Sequence, residues 1–261
     1  MPSVPTGFKA LPEPDLQTSF ERADEYEFDF LEVPLHPLAE CREIDGRSED
    51  VRKAAADTGV DVVAHLPHKP RDIVCVASAR EDRRTTAFEN VERSIETASA
   101  IGASKAVLHL EAPETHLADD TERELFAVLD SLSEYGRTHG VEVCYENLSR
   151  RYPTLADFPQ LLERTSASIT LDTGHARVNG YSSPEIATFA GQHAGRISHV
   201  HLNDTRGRAD EHLPFGSGTI DFESIFASLL EGGWDGTMTT EVKTHDFDFI
   251  RLGKEKLDEL I

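Results

Sequence analysis

Short apolar runs alternate with amphipathic stretches along the whole chain. The runs 30–35, 60–66, 106–110, 141–145, 168–171, 197–202 and 237–242 are rich in Val, Ile, Leu and Phe and too short for buried helices, so they predict β-strands. Residues 4–10 form a weaker first member. Between the strands, 15–25, 49–58, 85–101, 120–139, 155–163, 184–192, 222–230 and 247–260 have helical character. Ser183 before Pro184 reads as an N-cap followed by proline at the first helical position, and Gly59, Gly102, Gly140 and Gly232 fall where helices should stop. Eight strand-then-helix units in 261 residues, with no linker between them, predict an α/β protein: a parallel (β/α)8 barrel, residues 1–261 forming a single domain. An open doubly wound sheet shares the alternation. It has less support here, because no Gly-x-Gly-x-x-Gly follows the first strand and no Gly-x-x-x-x-Gly-Lys-Ser/Thr occurs. The acidic stretch 41–50 reads as a solvated loop.

Composition changes this picture modestly. With 26 Lys plus Arg against 48 Asp plus Glu, the formal charge is −22, which opposes a protein that coats nucleic acid or an anionic membrane, since both need a basic face. Arginine outnumbers lysine by 19 to 7, a halophilic balance in which a dense carboxylate shell stays hydrated and its repulsion is screened. The charge therefore speaks of habitat as much as of partners. No apolar run approaches the roughly 18 residues of a membrane span, and the first residues lack the basic and apolar segments of a secretory signal, so a cytoplasmic location is expected. Cys41, Cys75 and Cys144 are odd in number and widely spaced, which disfavours a disulfide framework or a thiolate zinc site and predicts small buried residues.

The chemistry collects at strand ends. His65, His109, Glu146, Asp172, His201 and Glu241 each follow the apolar part of a predicted strand. In a barrel those ends converge on one cavity. Six such groups together would leave carboxylates repelling one another and imidazoles unsatisfied unless a cation organised them. His175 lies three residues past Asp172, a spacing that a tight turn can fold back, and Asp210 and His212 can share one side of an extended loop. Nitrogen and carboxylate ligands without thiolate suit Zn, Mn, Co or Fe(II). His199, on the same strand face as His201, reads as support or barrel filling. His68 and Lys69 could meet an anionic substrate. His36, His116, His139, His193 and His245 read as surface residues.

The segments Tyr145-Glu146-Asn147, Leu171-Asp172-Thr173-Gly174-His175-Ala176, His199-Val200-His201-Leu202-Asn203-Asp204 and the stretch from Asp210-Glu211-His212 through Gly216-Ser217-Gly218 to Phe222 resemble the xylose-isomerase-like TIM-barrel superfamily. It holds sugar and sugar-phosphate isomerases and epimerases beside endonuclease-IV-type apurinic/apyrimidinic endonucleases. The isomerase branch implies one divalent ion (Mn, Co or Zn) on Glu146, Asp172, His201 and Glu241, with His175 toward the substrate; His65, His109, His68, Lys69 and Arg206 are further candidates for holding a sugar or sugar phosphate. Glu146 and Glu241 would move the proton through a metal-stabilised enediolate. The endonuclease branch implies three zinc ions, with His65, His109, His175, Asp210 and His212 as further ligands and DNA as partner. A DNA enzyme needs rim loops rich in Arg, Lys and aromatic wedges, whereas the loop after the second strand is acidic and Trp234 is the one tryptophan. Lys69 with Arg71, Arg150 with Arg151, and Arg206 with Arg208 could equally hold a sugar phosphate. The expectation is therefore a small sugar substrate, no membrane partner and, as in many barrels, room for a homo-oligomer. A noncatalytic binding protein would be expected to have lost ligands, and none is lost.

Overall fold

A computed structural model describes residues 4–13, 15–112 and 117–261. Eight parallel strands close into a barrel in sequence order: β1 (Thr6–Lys9), β2 (Phe30–Pro34), β3 (Asp61–His65), β4 (Lys105–Leu108), β5 (Glu142–Glu146), β6 (Ser168–Asp172), β7 (Ile197–Leu202) and β8 (Thr237–Thr240). All eight predicted strands are present, including the weak first. The strands are apolar because the outer face of the sheet packs against helices and the inner face fills the barrel. Leu31, Val33, Ala64, Leu108, Leu171, Val200 and Met238 are accordingly buried.

The helical ring differs from the sequence expectation in three places. Residues 41–50, expected as loop, instead finish the helix Leu38–Asp45 and begin Ser48–Thr58. Leu38, Cys41 and Ile44 are buried at spacings of three, a helical stripe masked by the charges between them. The residues after Asp172 form the helix Thr173–Val178 rather than a tight turn, with the Asp172 side chain capping it by accepting from the His175 N–H at 2.6 Å. Ser182, one residue earlier than expected, is the N-cap of Ser183–His193 and forms a capping box with Glu185. Cys41, Cys75 and Cys144 are free and buried. Among the described residues no helix is long and apolar enough to cross a membrane.

One irregularity aligns the site. The β6–β7 register shifts between Ile169 and Thr170, so that Thr170 pairs with His199 and Asp172 with His201. Side chains alternate between faces along a strand, and a shift of one residue exchanges the faces. The bulge thus turns His199 and His201 toward the same interior as Asp172.

Candidate metal centre

The C-terminal ends of the strands open into a cavity of about 840 Å³. Its wall includes His65, His68, Lys69, His109, Glu146, His175, Asp210, His212 and Glu241. Nine of the residues singled out in the sequence fall into three groups whose candidate ligand atoms lie within 4.8 Å of one another. His65 and His109 join Glu146; Asp172, His201 and Glu241 also join Glu146; and His175 joins Asp210 and His212. Glu146 therefore belongs to two groups. Its Oε2 lies 2.6 Å from His109 Nε2, while Oε1 lies 3.1 Å from His201 Nδ1.

Each of the five imidazoles has one nitrogen anchored by an acceptor, which leaves the other toward a group. His65 Nδ1 donates to Leu66 O, His175 Nδ1 to Asn147 O and His212 Nδ1 to Glu241 O. His109 Nδ1 donates to Glu111 Oε1 at 3.1 Å, and His201 Nε2 donates to Glu32 Oε2 at 3.0 Å. An outer acceptor of this kind fixes the tautomer and ring plane of a metal-binding histidine. Glu32 also accepts from His199 Nε2 at 3.2 Å, and His199 Nδ1 meets Thr237 Oγ1 at 2.6 Å. His199 thus fills and braces the barrel interior below His201, as its position suggested.

His109 Nε2 and Glu146 Oε2, 2.6 Å apart, and Asp210 Oδ1, 3.0 Å from His212 Nε2, are buried and not aligned for hydrogen bonds among the described residues. They belong to three proposed ligands. Burial pushes Asp172 up to about 6. Burial also opposes the charge on His109, yet Glu146 and Glu111 outweigh it and raise the imidazole to about 9. His175 and His201 rise well above the usual histidine range because nearby carboxylates overcome their burial. The carboxylates thus draw positive charge into a dry site, and divalent cations answer the same need with the donor set at hand.

Asn147 and Asn203 brace this centre. The Asn147 amide donates to Asp172 O and accepts from Asp172 N–H, and Asn203 Nδ2 donates to Asp172 Oδ2 at 3.0 Å. Asp204 accepts the backbone N–H groups of Thr205, Gly216, Gly218 and Ile220, folding the loop that carries Asp210 and His212. A Cβ on Gly218 would lie 2.2 Å from Asp204 Oδ1, so this loop closes only around glycine.

Residues 20–260 match the family model for the xylose isomerase-like TIM barrel. The chain belongs to this family. A probable endonuclease 4 of Mycobacterium leprae is 30% identical over 217 residues, 77% of this chain and 81% of that protein. An inosose dehydratase of Lacticaseibacillus casei is 28% identical over 169 residues, 55% of this chain and 56% of that protein, so the match spans just over half of that relative. A solved D-tagatose 3-epimerase-like protein superposes with a TM-score of 0.78 at 26% identity, covering 98% of this chain and 96% of that one.

Within this xylose isomerase-like barrel, several residues depart from the sequence reading. Arg206 does not line the cavity: its guanidinium and backbone N–H are both taken by Glu211. His36, read as a surface residue, lines the cavity with its ring centroid 4.3 Å from that of His68. Burial pushes His36 down to about 3 and His68 to about 2, so both are neutral. His245 lines the cavity as well, and His116 lies outside the described residues. Lys9, Glu32 and Glu111 were not singled out. Lys9 Nζ lies 2.5 Å from Glu241 Oε1; burial favours a neutral Glu241, but the charges of Lys9, His212 and His201 prevail and bring it to about 2. The available signals were a Glu in the middle of an apolar strand and a Lys at the end of the first.

Proposed function

We propose that this barrel is a divalent-metal-dependent isomerase or epimerase acting on a sugar or sugar phosphate. The reading is carried by one observation: Glu146, Asp172, His201 and Glu241 converge within 4.8 Å beside a cavity of about 840 Å³, a small-molecule volume. The likeness to a D-tagatose 3-epimerase-like protein supports it. Those four residues would hold the ion, which when bound polarises a carbonyl and its neighbouring hydroxyl and offsets charge that develops as a C–H proton leaves.

The rest is the work of this chain. Glu146, held ionised by His109 and His201 despite complete burial, takes the proton from carbon. Glu241 comes from the far side of the barrel, after β8, with the Lys9 ammonium at 2.5 Å as the adjacent proton source. Return of the proton by that route to the opposite face of the same carbon is epimerisation; return to the neighbouring carbon is isomerisation.

Glu241→Gln should fold and bind ligand while losing the exchange of substrate C–H with deuterium from solvent. The assay is NMR on a panel of ketohexoses and ketose phosphates in D₂O. Undiminished exchange in the variant, or no exchange in the parent protein, would reject the two-glutamate mechanism. A second reading, phosphodiester hydrolysis at abasic DNA, is favoured by the three ligand groups, two of which share Glu146, and by the probable endonuclease 4 relative. Three zinc ions per chain by elemental analysis, with nicking of an abasic duplex, would select it over the sugar reading.

A further inference from the structure

The sequence offers three basic pairs, and the structure separates them. Arg206 is neutralised by Glu211, and Arg150 donates to Arg208 O on an exposed loop. Arg71 and Arg151, one from each of the remaining pairs, both line the cavity and meet at a single carboxylate. Arg71 Nε donates to Glu111 Oε2 at 2.6 Å, and Arg151 Nη1 donates to the same oxygen at 3.3 Å. The other Glu111 oxygen accepts from His109 Nδ1.

Glu111 is buried, and its backbone lies at φ 54°, a left-handed conformation that a side-chain-bearing residue adopts only when its surroundings impose it. The strain has a visible consequence: one carboxylate reaches a candidate metal ligand and two guanidinium groups at once. Each guanidinium spends one of its five N–H donors on Glu111 among the described residues. Two cations brought to one oxygen of a carboxylate whose other oxygen holds an imidazole leave net positive charge facing the cavity, with further donors in fork geometry beside it. Lys69 lines the same wall.

We propose that Arg71 and Arg151, held by Glu111, form an oxyanion subsite that takes the phosphate or carboxylate group of an acidic sugar. This deepens the sugar reading above and rests on it for the identity of the ligand. Planar guanidinium forks match tetrahedral phosphate and planar carboxylate, with the charge assistance that makes such bonds strong. Because Glu111 also holds His109, the anion end of the ligand and the metal end of the cavity share one support, so an extended acidic sugar is placed by both. A neutral sugar would leave the fork unused.

The test measures binding and does not depend on turnover. Inorganic phosphate and D-gluconate are titrated calorimetrically into the parent protein and into Arg71→Gln, Arg151→Gln and Arg206→Gln, with metal content per chain matched and thermal melts recorded. At least one of the two anions should bind, and Arg71→Gln and Arg151→Gln should each weaken it by about tenfold or more, while Arg206→Gln leaves it unchanged. Which anion binds distinguishes a phosphate monoester from a sugar acid. Arg71→Lys, which retains charge without the fork, should recover only part of the loss. Equal affinity in all four proteins, or an equal loss in Arg206→Gln, overturns the subsite. Loss of phosphate binding in the two cavity variants alongside absent ketose exchange would keep the subsite and reject the isomerase.

Discussion

At the scale of single residues, six of the candidate ligands were legible because each ends an apolar run, and their anchors were not. Glu32 sits inside β2 among Phe30, Leu31 and Val33, where sequence offers no partner for a buried carboxylate. Only closure of the barrel brings β7 across to it, and the pairing is then specific: Glu32 Oε2 accepts from both His199 and His201. Its loss should loosen His201 more than it perturbs the fold. Glu32→Gln should keep the parent's far-UV spectrum and weaken divalent-ion binding by about 10–100-fold, measured by competition with a chromogenic chelator. Unchanged ion affinity would remove Glu32 from the support of His201. The cysteines give a simpler case. Burial raises all three thiols, Cys75 to about 11 and Cys144 to about 12. The reactive thiolate is therefore scarce below those values in the folded protein, and a thiol reagent at pH 8 should label none of the three until denaturant exposes them. Rapid labelling of native protein would show an opening that burial does not predict.

At the scale of elements, strand order and most helices followed from apolar periodicity, whereas the residues that set local alignment did not. The helix Leu38–Asp45 was hidden because only every third residue is apolar, and the β7 bulge has no sequence signature at all. The turn from β6 into Thr173–Val178 shows how closely such junctions are packed. A Cβ at Gly174 would stand 1.8 Å from Asn203 Oδ1, and Asn203 donates to Asp172 Oδ2. Nothing in the backbone angles of Gly174 demands glycine; the close approach of β7 does. Gly174→Ala must displace Asn203 and with it the carboxylate that caps the helix. The expected cost is about 1–3 kcal/mol by denaturant unfolding, in the range of overpacked sites, together with weaker ion binding. An alanine variant with parent-like stability and ion affinity would mean that Asn203 moves aside freely and does not brace Asp172.

At the scale of the whole molecule, the −22 charge and the buried centre are separate features that can be pulled apart by experiment. Exposed carboxylates repel one another through solvent, and molar salt shortens the screening length to about 3 Å, so the protein should melt at a higher temperature as KCl is raised. The candidate ligands are different: Glu146, Asp172 and His201 are inaccessible to solvent, so an ion held among them is little screened. An ion present at a hundred times its dissociation constant stabilises the folded state by about 2.7 kcal/mol. At about 2–4 °C per kcal/mol for a domain of this size, stripping it should lower the melting temperature by about 5–11 °C. Thermal melts with and without a strong chelator, each at low and at molar KCl, separate the two terms. The salt-dependent rise should appear in both the loaded and the stripped protein, and the drop on chelation should persist at both salt concentrations. A chelator effect that vanishes in molar salt would place the ion on the acidic surface instead of among Glu146, Asp172, His201 and Glu241, and the sugar chemistry built on that centre would fall with it.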